Sequence, residues 1–371
     1  MPAKTSEDYP NAPRTRACWY NPSMVGQKPK RPLPPGVVPA ERSWTDEDAG
    51  SHVRAKVPSS ESGAPDRSPE STHQPDSQSR PTPTATPADR ARSLVDQLIT
   101  LGPDDVAPVV RRLLPLGNFA LEEIARSFPG PLWRPSMATD SRLPRPEEIS
   151  ASAAALATFE GEAIPYLGRL MRSSDSQVRY YATIICGMYS NPQLVAPLAQ
   201  VSLDEDRECR RVALHLLSAY QHQQSYRGAL GELRKCASNI AQPLPIRRRA
   251  ISALTQLRDE QSAALFVDLL ADSDRGIGTA SRVGLRVLTA HDFGFARDPW
   301  LRWLSERGHE IRIQWLIEGL GDSRANIRLL ASRELWRLTR FLQPLSESAE
   351  RSEFVMAQHH YQRWWATSHP T

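Results

Sequence analysis

From about residue 163 onward, apolar positions recur at helical rather than strand spacing. Aligned on Val178, Cys209, Ile246, Ile277 and Ile327, five segments place apolar or small residues at offsets 0, +3, +4, +7, +8 and +11, one face of an α-helix. The first set reads Val178, Tyr181, Ala182, Ile185, Cys186, Tyr189, and the fifth reads Ile327, Leu330, Ala331, Glu334, Leu335, Leu338. Arg249 and Glu334 are the two polar departures from the apolar columns. Offset +4 is Ala182, Ala213, Ala250, Ser281 and Ala331, small enough for a neighbouring helix to approach closely. Acids stand five residues before the anchor (Asp204, Asp272, Asp322) or three before it (Asp175, Asp206, Asp274), where they serve the N–H groups and dipole of a helix N-terminus. An apolar-patterned stretch precedes each anchored helix, as in 163–171, 194–203, 262–270 and 312–320, so the predicted unit is a helix pair. Anchor spacings of 31, 37, 31 and 50 predict a turn insertion near Asn239–Pro245 and a longer one before the fifth unit. A helix pair of this length cannot bury its own apolar face, and stacking on neighbours solves that problem.

The pattern D-x-D-x-x-V-R-x-x-A, with a leading x-x-P-x-L helix, resembles HEAT repeats of the short variety first described in phycobilisome lyases. The matching motifs cover roughly 163–342. The resemblance implies an all-α fold, a right-handed superhelix of antiparallel helix pairs. It also implies that the arginine at offset +1 (Arg179, Arg210, Arg247, Arg328) pairs with the Asp at offset −5 of its own or an adjacent unit, forming a ladder that locks the stack. Asp204 with Arg210 and Asp322 with Arg328 fit this scheme, whereas Gly278 breaks the arginine series and is expected to leave Asp272 without its partner at a looser junction.

The last two units share a further feature. Leu288-Thr289 and Leu338-Thr339 lie 50 residues apart, and each is followed by an insertion ending in tryptophans. The first holds Asp292-Phe293-Gly294, Trp300 and Trp303; the second holds Trp364 and Trp365 and lacks the D-F-G turn. A HEAT unit followed by L-T-x-x-D-F-G and a short W-x-x-W helix is similar to bacterial HEAT-repeat proteins of no assigned activity. The plain reading of Trp300 and Trp303 is a plug between adjacent units; the sharper one is an exposed anchor for a protein partner.

Upstream, 93–102, 104–114 and 118–128 read as three amphipathic helices, and 143–159 as another, so 91–160 is expected to form a degenerate N-terminal repeat and cap. Residues 161–342 are expected to form the HEAT-like repeats, with the tryptophan insertion at about 291–310, and 343–371 a C-terminal capping helix. Residues 1–90 are expected to be a disordered arm: they hold 16 of the chain's 32 prolines, balance 12 Lys and Arg against 11 Asp and Glu, and show no apolar periodicity. Within the arm, Lys28–Pro35 would suit a polyproline-II ligand or a plain linker, and Cys18-Trp19-Tyr20 a short docking motif.

Charge and composition then narrow the function. A net charge of +4 over 371 residues names no partner. The N-terminus has no apolar stretch of signal-peptide type, and nowhere do 18 apolar residues follow one another, so a cytoplasmic protein with no membrane contact is expected. Four cysteines without a CxxC pair fit neither a disulfide framework nor a zinc site.

Asp292-Phe293-Gly294 matches the kinase magnesium motif, but no glycine-rich strand or H-R-D loop accompanies it. Deoxyhypusine hydroxylase, built from short HEAT repeats, binds two irons through four His-Glu pairs; this chain has one such dipeptide, His309-Glu310. No catalytic residue, cofactor or metal ligand is therefore assigned. The second helices carry Arg211, Arg248, Arg282, Arg286, Arg333 and Arg337 off the core face, and 275–340 holds 12 Arg against 7 Asp and Glu. This face reads either as solvated surface or as a basic groove for an acidic protein segment. Nucleic acid is disfavoured, because Tyr180 and Trp336 are its main aromatics for base stacking. The resulting expectation is a non-catalytic scaffold for protein–protein interaction, with a HEAT-class enzyme or a nucleic-acid-binding groove as the alternative.

Overall fold

The computed structural model describes residues 86–133 and 142–368. The arm expected over 1–90, with Lys28–Pro35 and Cys18-Trp19-Tyr20, lies outside the described residues as far as position 85. Among the described residues all regular structure is helical. The α-helices are α1 (Pro87–Leu98), α2 (Val106–Leu113), α3 (Asn118–Arg126), α4 (Pro146–Ile149), α5 (Ala151–Thr158), α6 (Ile164–Leu170), α7 (Ser176–Cys186), α8 (Val195–Val201) and α9 (Arg207–Leu217). They continue with α10 (Gln224–Ser238), α11 (Leu244–Gln256), α12 (Ser262–Leu269), α13 (Arg275–Thr289), α14 (Arg297–Arg307), α15 (Arg312–Gly319), α16 (Ala325–Thr339) and α17 (Arg351–Ser368). No helix among the described residues is long and apolar enough to cross a membrane.

The five anchored segments are α7, α9, α11, α13 and α16, each packed on the helix before it in its pair: α6, α8, α10, α12 and α15. Successive pairs touch in chain order, α7 on α9, α11 on α13, α8 on α10 and α10 on α12. The small residues at offset +4 sit where helices meet: Ala182, Ala213, Ala250, Ser281 and Ala331 are completely buried. Two apolar clusters result. The larger runs from Leu94 to Trp300, and the smaller gathers Ala290, Leu316, Leu320, Ile327, Leu335, Phe354 and Tyr361 at the C-terminal end.

Helix starts follow the acids. Asp175, Asp206 and Asp274 are N-caps of α7, α9 and α13 and accept hydrogen bonds from the N–H groups of Gln177, Cys209 and Ile277. The acids two residues earlier close the preceding turn: Asp204, Asp272 and Asp322 each accept from the N–H two residues on, at 2.8–2.9 Å. Ser173 does the same for Asp175 in the first unit.

Two boundaries differ from expectation. Helix α1 begins at Pro87, inside the stretch assigned to the arm, because Thr86 and Asp89 form a reciprocal capping box around a proline at the first helical position. The single helix expected over 143–159 is two, α4 and α5. The break is Ser150, in extended conformation, whose hydroxyl donates to the Pro129 carbonyl at 2.5 Å and accepts from the Ala153 N–H.

Candidate interaction surface

The offset +1 arginines each close their own turn, and two of them also cross to the next unit. Arg179 donates through Nη1 to the Ser173 and Ser174 carbonyls and, through Nε and Nη2, forks onto the Asp204 carboxylate of the following unit at 2.6 and 2.9 Å. Arg247 meets Asp272 of the following unit at 2.6 Å and the Ala237 carbonyl at 3.0 Å. Burial, the largest single influence, would raise the Asp204 and Asp272 carboxyls, but the guanidinium hydrogen bond, the backbone N–H two residues on and the guanidinium charge together hold both below the usual range.

Arg210 donates to the backbone carbonyls of Asp204 and Glu205, and Arg328 to those of Asp322 and Ser323. The Asp322 carboxylate is instead held by Arg324, and the Arg328 guanidinium lies over the Phe354 ring of α17. The junction expected to be loose at Gly278 is closed, since Arg247 reaches Asp272 from the unit before. A Cβ at position 278 would stand 3.1 Å from the Leu270 carbonyl oxygen, so the glycine lets α13 start tight against the end of α12.

The tryptophans are not surface anchors. Trp300 is completely buried and donates through Nε1 to the Gly294 carbonyl at 3.0 Å. Trp303 is buried beside it, in edge contact with Trp315 of α15 (ring centroids 5.3 Å apart) and 4.8 Å from His291. Phe293 of the D-F-G turn packs edge-on against Trp300 at 4.8 Å. These rings fill the space between one unit and the next, which removes Trp300 and Trp303 from the partner-binding set.

The six arginines proposed as a basic face carry carboxylates of their own. Arg211 pairs with Glu208 at 2.7 Å, Arg248 with Asp274 at 3.0 Å, Arg333 with Glu347 at 3.3 Å and Arg337 with Glu334 at 3.4 Å. A uniformly basic groove is therefore not what these positions form: Asp274, Asp292 and Glu347 stand outside the offsets from which the face was read, and only folding brings them alongside.

Arg282 and Arg286 behave differently. They converge with Arg324 on one buried carboxylate, Asp292. Arg282 forks onto it through Nε and Nη2, both at 2.8 Å. Arg286 Nε lies 3.6 Å from it and Arg324 Nη1 3.8 Å, the latter also donating to the Asp292 carbonyl. The Gly294 N–H adds a hydrogen bond at 3.1 Å. Burial would raise the Asp292 carboxyl, but Arg282, the Gly294 N–H and Arg286 hold it low. Beyond this charge, Phe295 stands exposed with the Arg282 guanidinium 4.8 Å over its ring. The D-F-G turn thus gathers arginines around its aspartate. Among the described residues no three His, Cys, Asp or Glu are grouped to hold a metal ion, and Glu310 of the His-Glu dipeptide faces Arg307 at 3.0 Å.

Sequence reading missed one polar network. Glu334, an acid in an apolar column, is buried between Arg258 (2.7 Å to each oxygen) and Arg312 (2.7 Å), and Arg312 also donates to the Leu288 and Val287 carbonyls. The signal was the departure itself, because an acid in a core column requires a buried cation. Arg249, the other departure, reaches the Leu203 carbonyl at 3.2 Å.

No family model matches the chain, and no curated protein does. Among solved structures, an engineered protein from the Northeast Structural Genomics Consortium is similar at 16% identity, with 67% of this chain and 88% of that one covered and a TM-score of 0.20. A TM-score that low carries no argument about fold or function.

Proposed function

We propose that residues 161–342 form a HEAT-like α-solenoid that acts as a non-catalytic scaffold, gripping an acidic segment of a protein partner along the outer faces of its second helices. The observation that carries this reading is the division of labour among the arginines. Arg179 and Arg247 are buried and spent on joining units, whereas the Arg211, Arg248, Arg333 and Arg337 side chains are about half exposed. Exposed ion pairs are worth only about 0–1 kcal/mol, so Arg211, Arg248 and Arg333 can exchange their carboxylates for a partner's at little cost, and Arg337 can turn outward while Glu334 stays with Arg258 and Arg312. Nucleic acid is the weaker reading, since Trp336 is covered by the Arg340 guanidinium at 4.1 Å and Tyr180 packs edge-on against Tyr181.

The full-length chain, immobilised at low salt, is expected to retain a protein partner that elutes as ionic strength rises and that rebinds directly once purified. Mixed-sequence DNA is expected to run unretarded with it in a low-salt gel. Retarded DNA with no retained protein would overturn the scaffold in favour of a nucleic-acid groove.

A further inference from the structure

We propose that Arg282, Arg286 and Arg324, gathered around Asp292 with Phe295 at their rim, form a carboxylate-binding site that takes an Asp or Glu side chain of an acidic peptide, flanked by an apolar residue. This rests on the scaffold reading and gives it a specific point of contact.

Three observations carry it. The first is an unused donor set. Arg286 makes no hydrogen bond among the described residues, its Nε is buried without a partner, and its nearest acid, Asp292, is 3.6 Å away. The Arg282 fork spends Nε and Nη2 on Asp292 and leaves its Nη1 group free of any hydrogen bond among the described residues. A guanidinium as poorly matched as that of Arg286, beside the spare Nη1 of Arg282 at a partly covered position, is pre-organised to accept a carboxylate.

The second observation is charge. Three guanidiniums face two carboxylates, those of Asp292 and Asp322, which leaves an excess of one positive charge. A single carboxylate balances that excess, whereas a phosphate dianion would overshoot it. The third is access and surroundings: the Arg282, Arg286 and Arg324 side chains retain 33%, 25% and 41% exposure, so they are reachable yet partly desolvated. Phe295, exposed and stacked against Arg282, offers an apolar surface beside the charge.

The site is also held stiffly. Arg282 and Arg286 lie one turn apart on α13, Asp292 is fixed by its own turn through the Gly294 N–H, and Arg324 is clamped by Asp322 at the start of α16. It therefore spans the joint between the fourth unit and the fifth, and its geometry depends on their stacking.

Fluorescence anisotropy of a labelled 15-residue peptide with alternating Glu and Leu, measured at low salt against the full-length chain, tests the site. The parent protein is expected to bind, with Arg286→Gln weakening the interaction about tenfold, the scale of one lost charge-assisted hydrogen bond. Phe295→Ala, at an exposed position, is expected to weaken it severalfold, and Arg227→Gln, at an exposed position on α10 away from the second helices, to leave it unchanged. Circular dichroism should show the helical content of all three variants intact.

Unchanged affinity in both Arg286→Gln and Phe295→Ala overturns this site while leaving the scaffold reading in place. Equal losses in Arg227→Gln and Arg286→Gln overturn it in favour of diffuse attraction to the whole charged surface. Tighter binding of the same peptide with phosphoserine in place of Glu overturns the carboxylate assignment, and no binding by the parent protein overturns the site and the acidic-segment reading together.

Discussion

Glu334 shows how one residue can carry what a column of apolar contacts cannot. Burial alone would raise its carboxyl, but the hydrogen bonds and charges of Arg258 and Arg312 bring it down to about 2. An unfolded glutamate titrates near ~4.3, so the folded state binds fewer protons between those values and stability rises with pH across that window. The contribution, on the order of 3 kcal/mol, is complete above the unfolded value and is lost as pH falls through about 2. Urea midpoints measured from pH 6 down to pH 2.5 are expected to fall more steeply for the parent protein than for Glu334→Gln. At pH 6 the variant itself should be less stable by about 3 kcal/mol, because it leaves the buried Arg312 guanidinium and the partly covered Arg258 one facing an amide. Parallel pH profiles would show that the buried pair does not govern acid sensitivity. This residue was visible in the sequence as an anomaly, but its partners were not: Arg258 lies 76 positions away and Arg312 22, and no helical periodicity relates such distances.

At the scale of elements, period and capping were legible because both are local. The offsets that bury Ala182, Ala213, Ala250, Ser281 and Ala331 are fixed by the helix itself, and so are the caps at Asp175, Asp206 and Asp274. Which arginine meets which acid was less legible. Arg210 and Asp204 are neighbours in their own turn, yet the Asp204 carboxylate faces Arg179 25 residues earlier, a pairing set by how two units stack. The same limit applied to the tryptophans, since spacing places Trp300 and Trp303 on one helix face without saying what covers it. Helix α14 packs on α12, and the Trp315 ring closes the other side of Trp303. Trp300→Ala is therefore expected to cost about 3–5 kcal/mol in urea denaturation, the range for emptying a buried aromatic site. A variant that kept its stability and lost partner binding would restore the surface-anchor reading.

For the helical body as a whole, the apolar core is not continuous. The larger cluster ends at Trp300 and the smaller begins with Ala290 and Leu316, so the fifth unit and α17 share a core of their own. What bridges the two is mainly polar: the Arg312 hydrogen bonds to the Val287 and Leu288 carbonyls, the Arg258–Glu334–Arg312 network, Arg324 on Asp292, Arg307 on Glu318 and the Trp315 Nε1 hydrogen bond to the Arg307 carbonyl, beside the Trp303–Trp315 edge contact. In a stack where each unit contacts mainly its neighbours, stability is a sum of unit and junction terms, and the junction with the fewest apolar contacts is the first to open. Hydrogen exchange followed by mass spectrometry is therefore expected to divide the chain near α14. Peptides from 312–368 should exchange as one block ahead of those from 176–289, and Glu334→Gln should accelerate the C-terminal block while leaving 176–238 unchanged. Uniform protection across both blocks, or acceleration spread evenly by the variant, would show that the two cores unfold as one. The arginines around Asp292 sit on the same joint, with Arg282 and Arg286 on one side and Arg324 on the other. Opening of the C-terminal block disperses them, so a peptide that binds there should slow exchange over 312–368 and leave the earlier units as they were.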